Sequence, residues 1–236
     1  TEPLLATVIA PLYAAFDAAM KERNNRQPLH LDLPERRIEL SSEGHVTSVA
    51  FRERFDAHKL IEEFMILANV SAAETLEGKR RPFLYRVHEE PSPEKLDSLR
   101  DIAHAAGLNL AKGQVLKPQH LNRLLDGAAG TDNAEIINMS VLRSMTQAYY
   151  APHNFGHFGL NLKRYAHFTS PIRRYADVIV HRALISAHGW GKDGLSPEDI
   201  ARLEETGEVI SMAERRSMMA ERDTNDRYLA SYLAER

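Results

Sequence analysis

The segment that most constrains the fold lies at residues 165–184, where the sequence prepares the start of a helix and places arginines beside it. Ser170 suits the N-cap, because its hydroxyl can accept an unpaired backbone N–H of the first turn. Pro171 suits the first helical position, where a missing N–H has no cost. Arg173 and Arg174 would then oppose the helix dipole, at a cost of up to about 1 kcal/mol each. The pattern predicts an anion bound at the start of this helix.

The surroundings of this segment are basic and aromatic, although the whole chain has a formal net charge of −3. Asp177 is the only acid between Val141 and Arg182, among several arginines, lysines and aromatic residues. Basic side chains neutralise phosphates and aromatic rings stack on bases, as in proteins that hold single-stranded nucleic acid. The residues also leave open a plainer interpretation, in which the arginines lie on the surface and rings such as Phe158 and Phe168 belong to the core.

Three blocks of the chain, at residues 56–69, 156–182 and 212–223, resemble the RNB family of 3′→5′ exoribonucleases. The middle block reads Gly-His-Phe-Gly-Leu at 156–160 and Tyr-Ala-His-Phe-Thr-Ser-Pro-Ile-Arg-Arg-Tyr-Ala-Asp at 165–177. The blocks occur in the order that the family shows, and the resemblance extends over nearly the whole chain. It implies an enzyme that hydrolyses single-stranded RNA processively from the 3′ end and releases nucleoside 5′-monophosphates with Mg²⁺.

The predicted fold class is α+β: a mostly helical segment with one β-hairpin and a short extra strand, as part of an RNB catalytic domain. Hydrophobic periodicity and cap residues predict the helices, which we place at residues 3–23 (with a kink or break at Pro11), 56–77, 93–106, 118–126, 133–148, from 171 onwards, and in two helices from 197 to 234. Alternating and turn-forming residues predict the hairpin at 36–40 and 46–51 and a strand at 82–87. Residues 149–163 are predicted to be a loop.

Composition limits the class of protein. A chain of 236 residues with 43% apolar residues can form one large domain. It has no cysteine, which excludes disulfides and is compatible with a reducing cytoplasm. No apolar run approaches the roughly 20 residues of a membrane span. Because the chain starts without methionine and ends inside a helical pattern, we expect residues 1–236 to be the C-terminal portion of a single RNB catalytic domain. Single-stranded RNA 3′ ends and the remainder of the parent chain are the expected partners; the oligomeric state stays open.

The resemblance also implies roles for individual residues. Arg173 matches the family arginine that contacts the phosphate being cleaved, and this role suits a fixed cation beside a growing negative charge. Arg174 is expected either to pair with Asp177, three residues away, or to contact the RNA backbone. Tyr175 and Arg182 are further expected RNA contacts.

Carboxylates and a histidine complete the predicted RNA-binding set. Glu62 matches a family glutamate that faces the RNA, although the adjacent Glu63 could be confused with it. Glu221 is expected near the 3′-terminal nucleotide, whereas Glu214, seven residues earlier, could equally belong to a solvated charged face. Hydrogen bonds from ribose hydroxyls to such carboxylates would select RNA over DNA. His157 is expected to shape the glycine-containing loop beside the RNA.

The resemblance places the Mg²⁺ ligands, a cluster of aspartates, upstream of this chain. The aspartates present here, such as Asp56, Asp177 and Asp223, lie in unrelated blocks. His153 and His157 have a metal-like spacing, but no acid or cysteine accompanies them. We therefore predict no metal site in this chain, and we expect the chain alone to bind RNA weakly and to cleave nothing.

Two other classes of function remain open from the sequence. The chain could belong to an inactive pseudonuclease that keeps the fold and binds RNA; the state of the upstream aspartates would decide. A purely helical interaction domain would explain the helices, but it would not explain the arginines beside the Ser-Pro pair.

Overall fold

The computed structural model describes residues 2–31 and 35–234. Helices dominate the described residues, and the predicted α+β class is confirmed. In chain order they are α1 (Glu2–Leu4), a π-helical turn (Leu5–Ile9), α2 (Ala10–Arg26), α3 (Asp56–Gly78), α4 (Pro93–Ala105), α5 (Pro118–Ala128), α6 (Ala134–Ser144), α7 (Tyr175–His188), α8 (Pro197–Ala201) and α9 (Leu203–Ala234). None of the described helices is long and apolar enough to cross a bilayer.

Four short strands form two antiparallel pairs in the described residues. They are β1 (Arg36–Leu40), β2 (Val46–Phe51), β3 (Tyr85–Val87) and β4 (Tyr149–Ala151). β1 and β2 form the predicted hairpin, and β3 lies within the predicted extra strand. β4 was not predicted, because residues 149–163 were expected to be a loop throughout. Three residues are too few for a periodic signal, and β4 is instead fixed by pairing with β3 and by the Tyr150 N–H, which donates to Ser211 Oγ of α9 at 2.9 Å.

A kink or break was predicted at Pro11. The helix does not end there. The chain widens into the π-helical turn just before Pro11, where the Ala10 N–H bonds the Leu5 carbonyl, and then continues as α2. A proline removes one helical N–H, and a widened turn accommodates that loss without ending the helix. The helix ends at Gln27, which takes a left-handed conformation with φ of 53°.

The helix that follows the Ser-Pro pair begins at Tyr175, four residues later than predicted. The Ser170 hydroxyl accepts the Arg173 Nε–H instead of capping a backbone N–H. The Ser170 carbonyl closes a single turn with the N–H groups of Arg173 and Arg174, and the extended backbone of Arg174 separates that turn from α7. The predicted cations in the first helical turn are therefore wrong, since Arg173 precedes α7 and Arg174 is its N-cap. Ile172, in the same turn, is 97% exposed.

Most of the buried apolar side chains in the described residues belong to three clusters. One joins α3, β3 and α7 through residues such as Leu76, Val87 and Val180. A second lies under α7, β4 and the start of α9. The third, which we call the three-helix core, is formed by α4, α5, α6 and their connections. α7 is thus packed against both α3 and α9, and the turn that precedes it is held on a rigid base. Phe158 and Phe168 pack against these clusters, as the plainer interpretation of the rings predicted.

Candidate nucleic-acid interface

The turn at residues 170–174 is fastened to a single buried carboxylate, that of Asp177 in the first turn of α7. The Ser170 N–H donates to Asp177 Oδ1 at 2.7 Å. Arg174 donates to the same carboxylate with two groups, Nε to Oδ2 at 2.7 Å and Nη2 to Oδ1 at 2.8 Å. Burial alone would raise the pKa of Asp177, but the hydrogen bonds from Arg174 and Ser170 hold that pKa below its usual value. Arg174 is therefore the partner of Asp177, one of its two predicted roles.

Arg173 projects from this turn with an exposed side chain. Its Nε–H donates to Ser170 Oγ at 2.9 Å. Within residues 2–31 and 35–234 it forms no ion pair, so its two terminal NH₂ groups remain available to a ligand. The two neighbouring arginines therefore differ in environment. Arg174 is neutralised by Asp177 inside the protein, whereas the charge of Arg173 is accessible to a ligand. A guanidinium held in this way can form a two-pronged contact with a phosphate.

A second network of polar side chains lies close to the turn at residues 170–174. Tyr150 OH and His167 Nδ1 are 2.8 Å apart, and the Arg86 guanidinium lies 4.6 Å from the centre of the Tyr150 ring. Arg86 Nη1 also donates to Glu214 Oε2 at 2.6 Å. Burial, together with the charges of Arg174 and Arg86, lowers the pKa of His167 to about 3. Glu214 is therefore the partner of Arg86. This ion pair differs from the solvated charged face that the sequence had left open for Glu214.

The two adjacent glutamates of α3 lie in different environments. Glu63 is 5% exposed and pairs with Arg23 of α2. The Glu62 side chain is 39% exposed; it pairs with Arg54 and lies 3.6 Å from Arg23. Only Glu62 could face an RNA without movement of the core, which supports the choice of Glu62 over Glu63.

A large open cleft of about 1370 Å³ is lined by the β1–β2 hairpin, α6 and α9. The hairpin side of the cleft carries arginines, and α9 contributes Glu221 and Arg222. The lining arginines of the hairpin region are Arg36, Arg37 and Arg52. Phe51, at the end of β2, is 68% exposed and lies in the same wall. The cleft therefore offers cations, an aromatic ring and the carboxylates of Glu35, Glu135 and Glu221 to one ligand.

His157 is engaged inside its loop. Its Nδ1 accepts the Leu160 N–H at 3.2 Å, and its ring contacts those of His88 and Tyr165. Burial, followed by the charge of His88, lowers the pKa of His157 to about 3. The loop is tight at Gly159, where an added Cβ would lie 2.9 Å from His88 Nδ1. His157 therefore shapes this loop as a neutral residue.

Arg182 and Tyr175 lie on α7 in contrasting situations. Arg182 donates to the carbonyls of Asp193 and Gly194 and to Asp199 Oδ2 at 2.7 Å, and it fastens the connection between α7 and α8. The contact of Arg182 with RNA stays a prediction, and the hydrogen bonds of Arg182 within the protein do not favour it. Tyr175 is 53% exposed, directly after Arg174, and is accessible to a ligand.

The structure brings only part of the predicted set together. Arg173 and Tyr175 are both exposed and lie two residues apart, but no hydrogen bond or ion pair among the described residues links them to Glu62 or Glu221. Several supporting residues were not predicted from the sequence: Arg23, Arg54, Arg86, Tyr150, His167 and the hairpin arginines. Many of their contacts span long sequence separations, for which the sequence carries no periodic signal.

Metal ligands are not assembled in the described part of the chain. No group of three or more His, Asp or Glu residues there is placed to hold a metal ion. His153 lies 3.7 Å from Glu204, and His157 is directed into its own loop. The residues at hand thus do not fit the Mg²⁺ that the family resemblance implies.

Comparison with known proteins places this geometry in a family. The RNB domain family matches residues 2–188. Ribonuclease R of Escherichia coli is 40% identical over 223 residues, which cover 91% of this chain and 27% of that protein. Ribonuclease R of Aquifex aeolicus is 36% identical and covers 99% of this chain, which spans 33% of that protein.

A solved structure shows the same architecture. It is Mycoplasma genitalium RNase R in complex with ribose-methylated single-stranded RNA, and it has a TM-score of 0.87 and 28% identity to this chain. The match covers 98% of this chain and 37% of the Mycoplasma protein. The chain thus spans between a quarter and two fifths of the proteins that it matches. On the family match and the identity to ribonuclease R, this chain belongs to the RNB family.

Proposed function

We propose that this chain is the C-terminal portion of a single RNB catalytic domain in a cytoplasmic 3′→5′ exoribonuclease. The parent enzyme hydrolyses single-stranded RNA processively from its 3′ end and releases nucleoside 5′-monophosphates. This portion supplies the phosphate-binding arginine and one wall of the RNA channel. Family membership and the RNA-bound relative support this proposal.

The observation that carries the proposal is the contrast between Arg173 and Arg174. Arg174 is committed to Asp177, while Arg173 is exposed and oriented by Ser170. A guanidinium held outside the protein surface in this way can stabilise the negative charge that grows on a phosphoryl group during cleavage. We therefore assign Arg173 to the scissile phosphate.

The carboxylates of Glu62 and Glu221 accept hydrogen bonds from the ribose of the RNA. Glu62 and Glu221 are both accessible, and a carboxylate near a polyanion must accept hydrogen bonds or it would repel the ligand. Ribose hydroxyls supply such hydrogen bonds. The arginines opposite Glu221 in the cleft offset its charge for the incoming phosphates.

Mg²⁺ would be held by aspartates of the parent outside this chain. Bound Mg²⁺ supplies charge stabilisation and an activated water in phosphoryl transfer. The described residues contain no cluster able to replace those aspartates. We therefore expect the isolated chain to bind single-stranded RNA weakly and to leave it intact.

The test uses the full-length parent enzyme, a labelled single-stranded RNA and Mg²⁺. Arg173→Ala should lower kcat by at least about 100-fold with a much smaller change in RNA affinity. The control is Arg123→Ala on α5, which removes another exposed arginine and should leave kcat unchanged. Turnover of Arg173→Ala within a fewfold of the wild-type value would remove Arg173 from this role.

The inactive RNA-binding alternative makes a different prediction in the same assay. The full-length protein would bind the RNA with or without Mg²⁺ and release no mononucleotides. Release of nucleoside 5′-monophosphates by the wild-type protein, and its loss in Arg173→Ala, would exclude the alternative.

A further inference from the structure

We propose that Asp177 is a positioning residue for Arg173, so that a carboxylate with no access to RNA controls the rate of cleavage. The inference rests on the proposed function of Arg173. It extends that function to a residue that the resemblance assigns no role and that lies completely inside the protein.

The hydrogen bonds of Asp177 bracket Arg173 on both sides. Oδ1 accepts the backbone N–H of Ser170, three residues before Arg173. Both carboxylate oxygens accept from the side chain of Arg174, the residue directly after it. The turn that carries Arg173 is therefore fixed at its first and last residues by one side chain.

The connection continues to the guanidinium itself. Ser170, whose backbone is bound to Asp177, uses its hydroxyl to accept the Arg173 Nε–H at 2.9 Å. Two successive hydrogen bonds thus run from the buried carboxylate to the side chain that meets the phosphate. Asp177 itself lies in the first turn of α7, a helix packed against α3 and α9, so the chain of contacts starts from a rigid element.

Burial makes this arrangement difficult to replace. The Asp177 side chain is 0% exposed and that of Arg174 is 15% exposed, so bulk water does not reach the carboxylate. An amide at position 177 could accept with one oxygen only, and it would place an NH₂ group against the donors of Ser170 or Arg174. We expect the turn to shift in response, and Arg173 with it.

A shift of Arg173 should affect catalysis more than binding. RNA affinity is distributed over many contacts along the channel, whereas stabilisation of the transition state requires the guanidinium at one position. In the full-length parent enzyme, Asp177→Asn should therefore lower kcat about 10- to 100-fold while KM for single-stranded RNA changes less than about threefold. Arg174→Lys keeps the charge but loses the two-pronged pair, and it should show the same pattern to a smaller degree.

A double-mutant cycle distinguishes positioning from general stabilisation. If Asp177 acts through Arg173, then Asp177→Asn should change kcat by less than about twofold when Arg173 is already alanine. Equal losses in both backgrounds would overturn the proposal and leave Asp177 with a structural role only. Near-normal kcat in Arg173→Ala alone would instead contradict the proposed function, so the two failures can be told apart.

Folding is controlled within the same experiment. Val180→Ala, a fully buried residue of α7 outside the turn, should lower the melting temperature without changing kcat at a temperature where the protein is folded. Should Asp177→Asn not fold, Ser170→Ala answers the question, because it removes only the hydroxyl that accepts from Arg173. We expect a several-fold fall in kcat for Ser170→Ala, and an unchanged kcat would overturn the proposal.

Discussion

Glu62 and Glu63 are neighbours on α3, yet one carboxylate is accessible to solvent and the other is buried. Glu63 is buried against Arg23, and Glu62 is accessible beside Arg54. Consecutive residues of a helix point about 100° apart, so one can face the core while the next reaches its edge. The two glutamates are therefore separable by mutation.

Glu63→Gln should destabilise the protein, whereas Glu62→Gln should slow RNA degradation. Loss of the Glu63 charge leaves the partly buried Arg23 with only its longer contact of 3.6 Å to Glu62, at a cost of about 2–4 kcal/mol in the free energy of unfolding. Loss of the exposed Glu62 should cost less than about 1 kcal/mol. Urea denaturation measures the first effect, and RNA turnover by the full-length enzyme measures the second. Destabilisation by Glu62→Gln alone would reverse the assignment.

The cleft arginines should make RNA binding dependent on salt. Arg36 lines the cleft at the start of β1, opposite α9. Arg36→Ala should weaken RNA binding, and it should reduce the slope of log K against log salt by about 1 if Arg36 meets one phosphate. Filter binding of single-stranded RNA between low and moderate salt measures that slope. The control Arg123→Ala should leave it unchanged, and an unchanged slope for Arg36→Ala would place the RNA elsewhere.

Buried neutral histidines should make the fold sensitive to acid. Burial lowers the pKa values of His157 and His167 to about 3, and it lowers that of His88 as well. The unfolded chain takes up protons near pH 6.5, and the folded protein does not. Stability is therefore fully present above pH 6.5 and is lost as the pH falls below it, by up to about 2 kcal/mol at pH 5 for each of the two strongly shifted histidines.

Urea unfolding at pH 7.5 and pH 5 measures this dependence. His167→Gln should reduce the loss between the two values, because the variant no longer offers that proton site to the unfolded chain. His30→Gln, at an exposed position, is the control and should leave the pH dependence as it is. An equal loss in the wild type and His167→Gln would mean that His167 is not protected from protonation.

Gly207 of α9 should be intolerant of a side chain. A Cβ there would lie 2.6 Å from the backbone carbonyl oxygen of Tyr150, which is too close to fit without displacing β4 from α9. We expect Gly207→Ala to lower the free energy of unfolding by about 1–3 kcal/mol. Gly78→Ala at the end of α3, where nothing lies within 4 Å, is the matched control. Thermal melting compares the two, and equal melting temperatures would contradict the close approach.

The sequence predicted the elements well where the signal is local. α8 begins at residue 197, as predicted, with Ser196 as its N-cap, and the hairpin turn at residues 41–44 lies between two clear strands. The same local rule misplaced the start of α7, because the Ser170 hydroxyl and N–H are used by Arg173 and Asp177 instead. A cap rule considers the backbone of one helix, and it cannot anticipate a side chain that competes for the capping group.

The candidate site was predictable only through its arginines and glutamates. The resemblance identified Arg173, but it did not indicate that Asp177 commits Arg174 to the interior. The pair of Arg86 with Glu214 joins residues 128 positions apart, and the sequence contains no periodic signal for it. Contacts of that range depend on the packing of β4, the partner strand of β3, against α9, which becomes visible only in the folded protein.

The separate three-helix core affects how the protein unfolds. Its buried members all come from α4 to α6 and their connections, and the buried apolar residues of α7, the helix that follows Arg173, belong to the other two clusters. We expect the three-helix core to open as a cooperative unit of its own under mild denaturant, and amide protons there to exchange together. Arg173 would stay in place while the three-helix core unfolds and refolds.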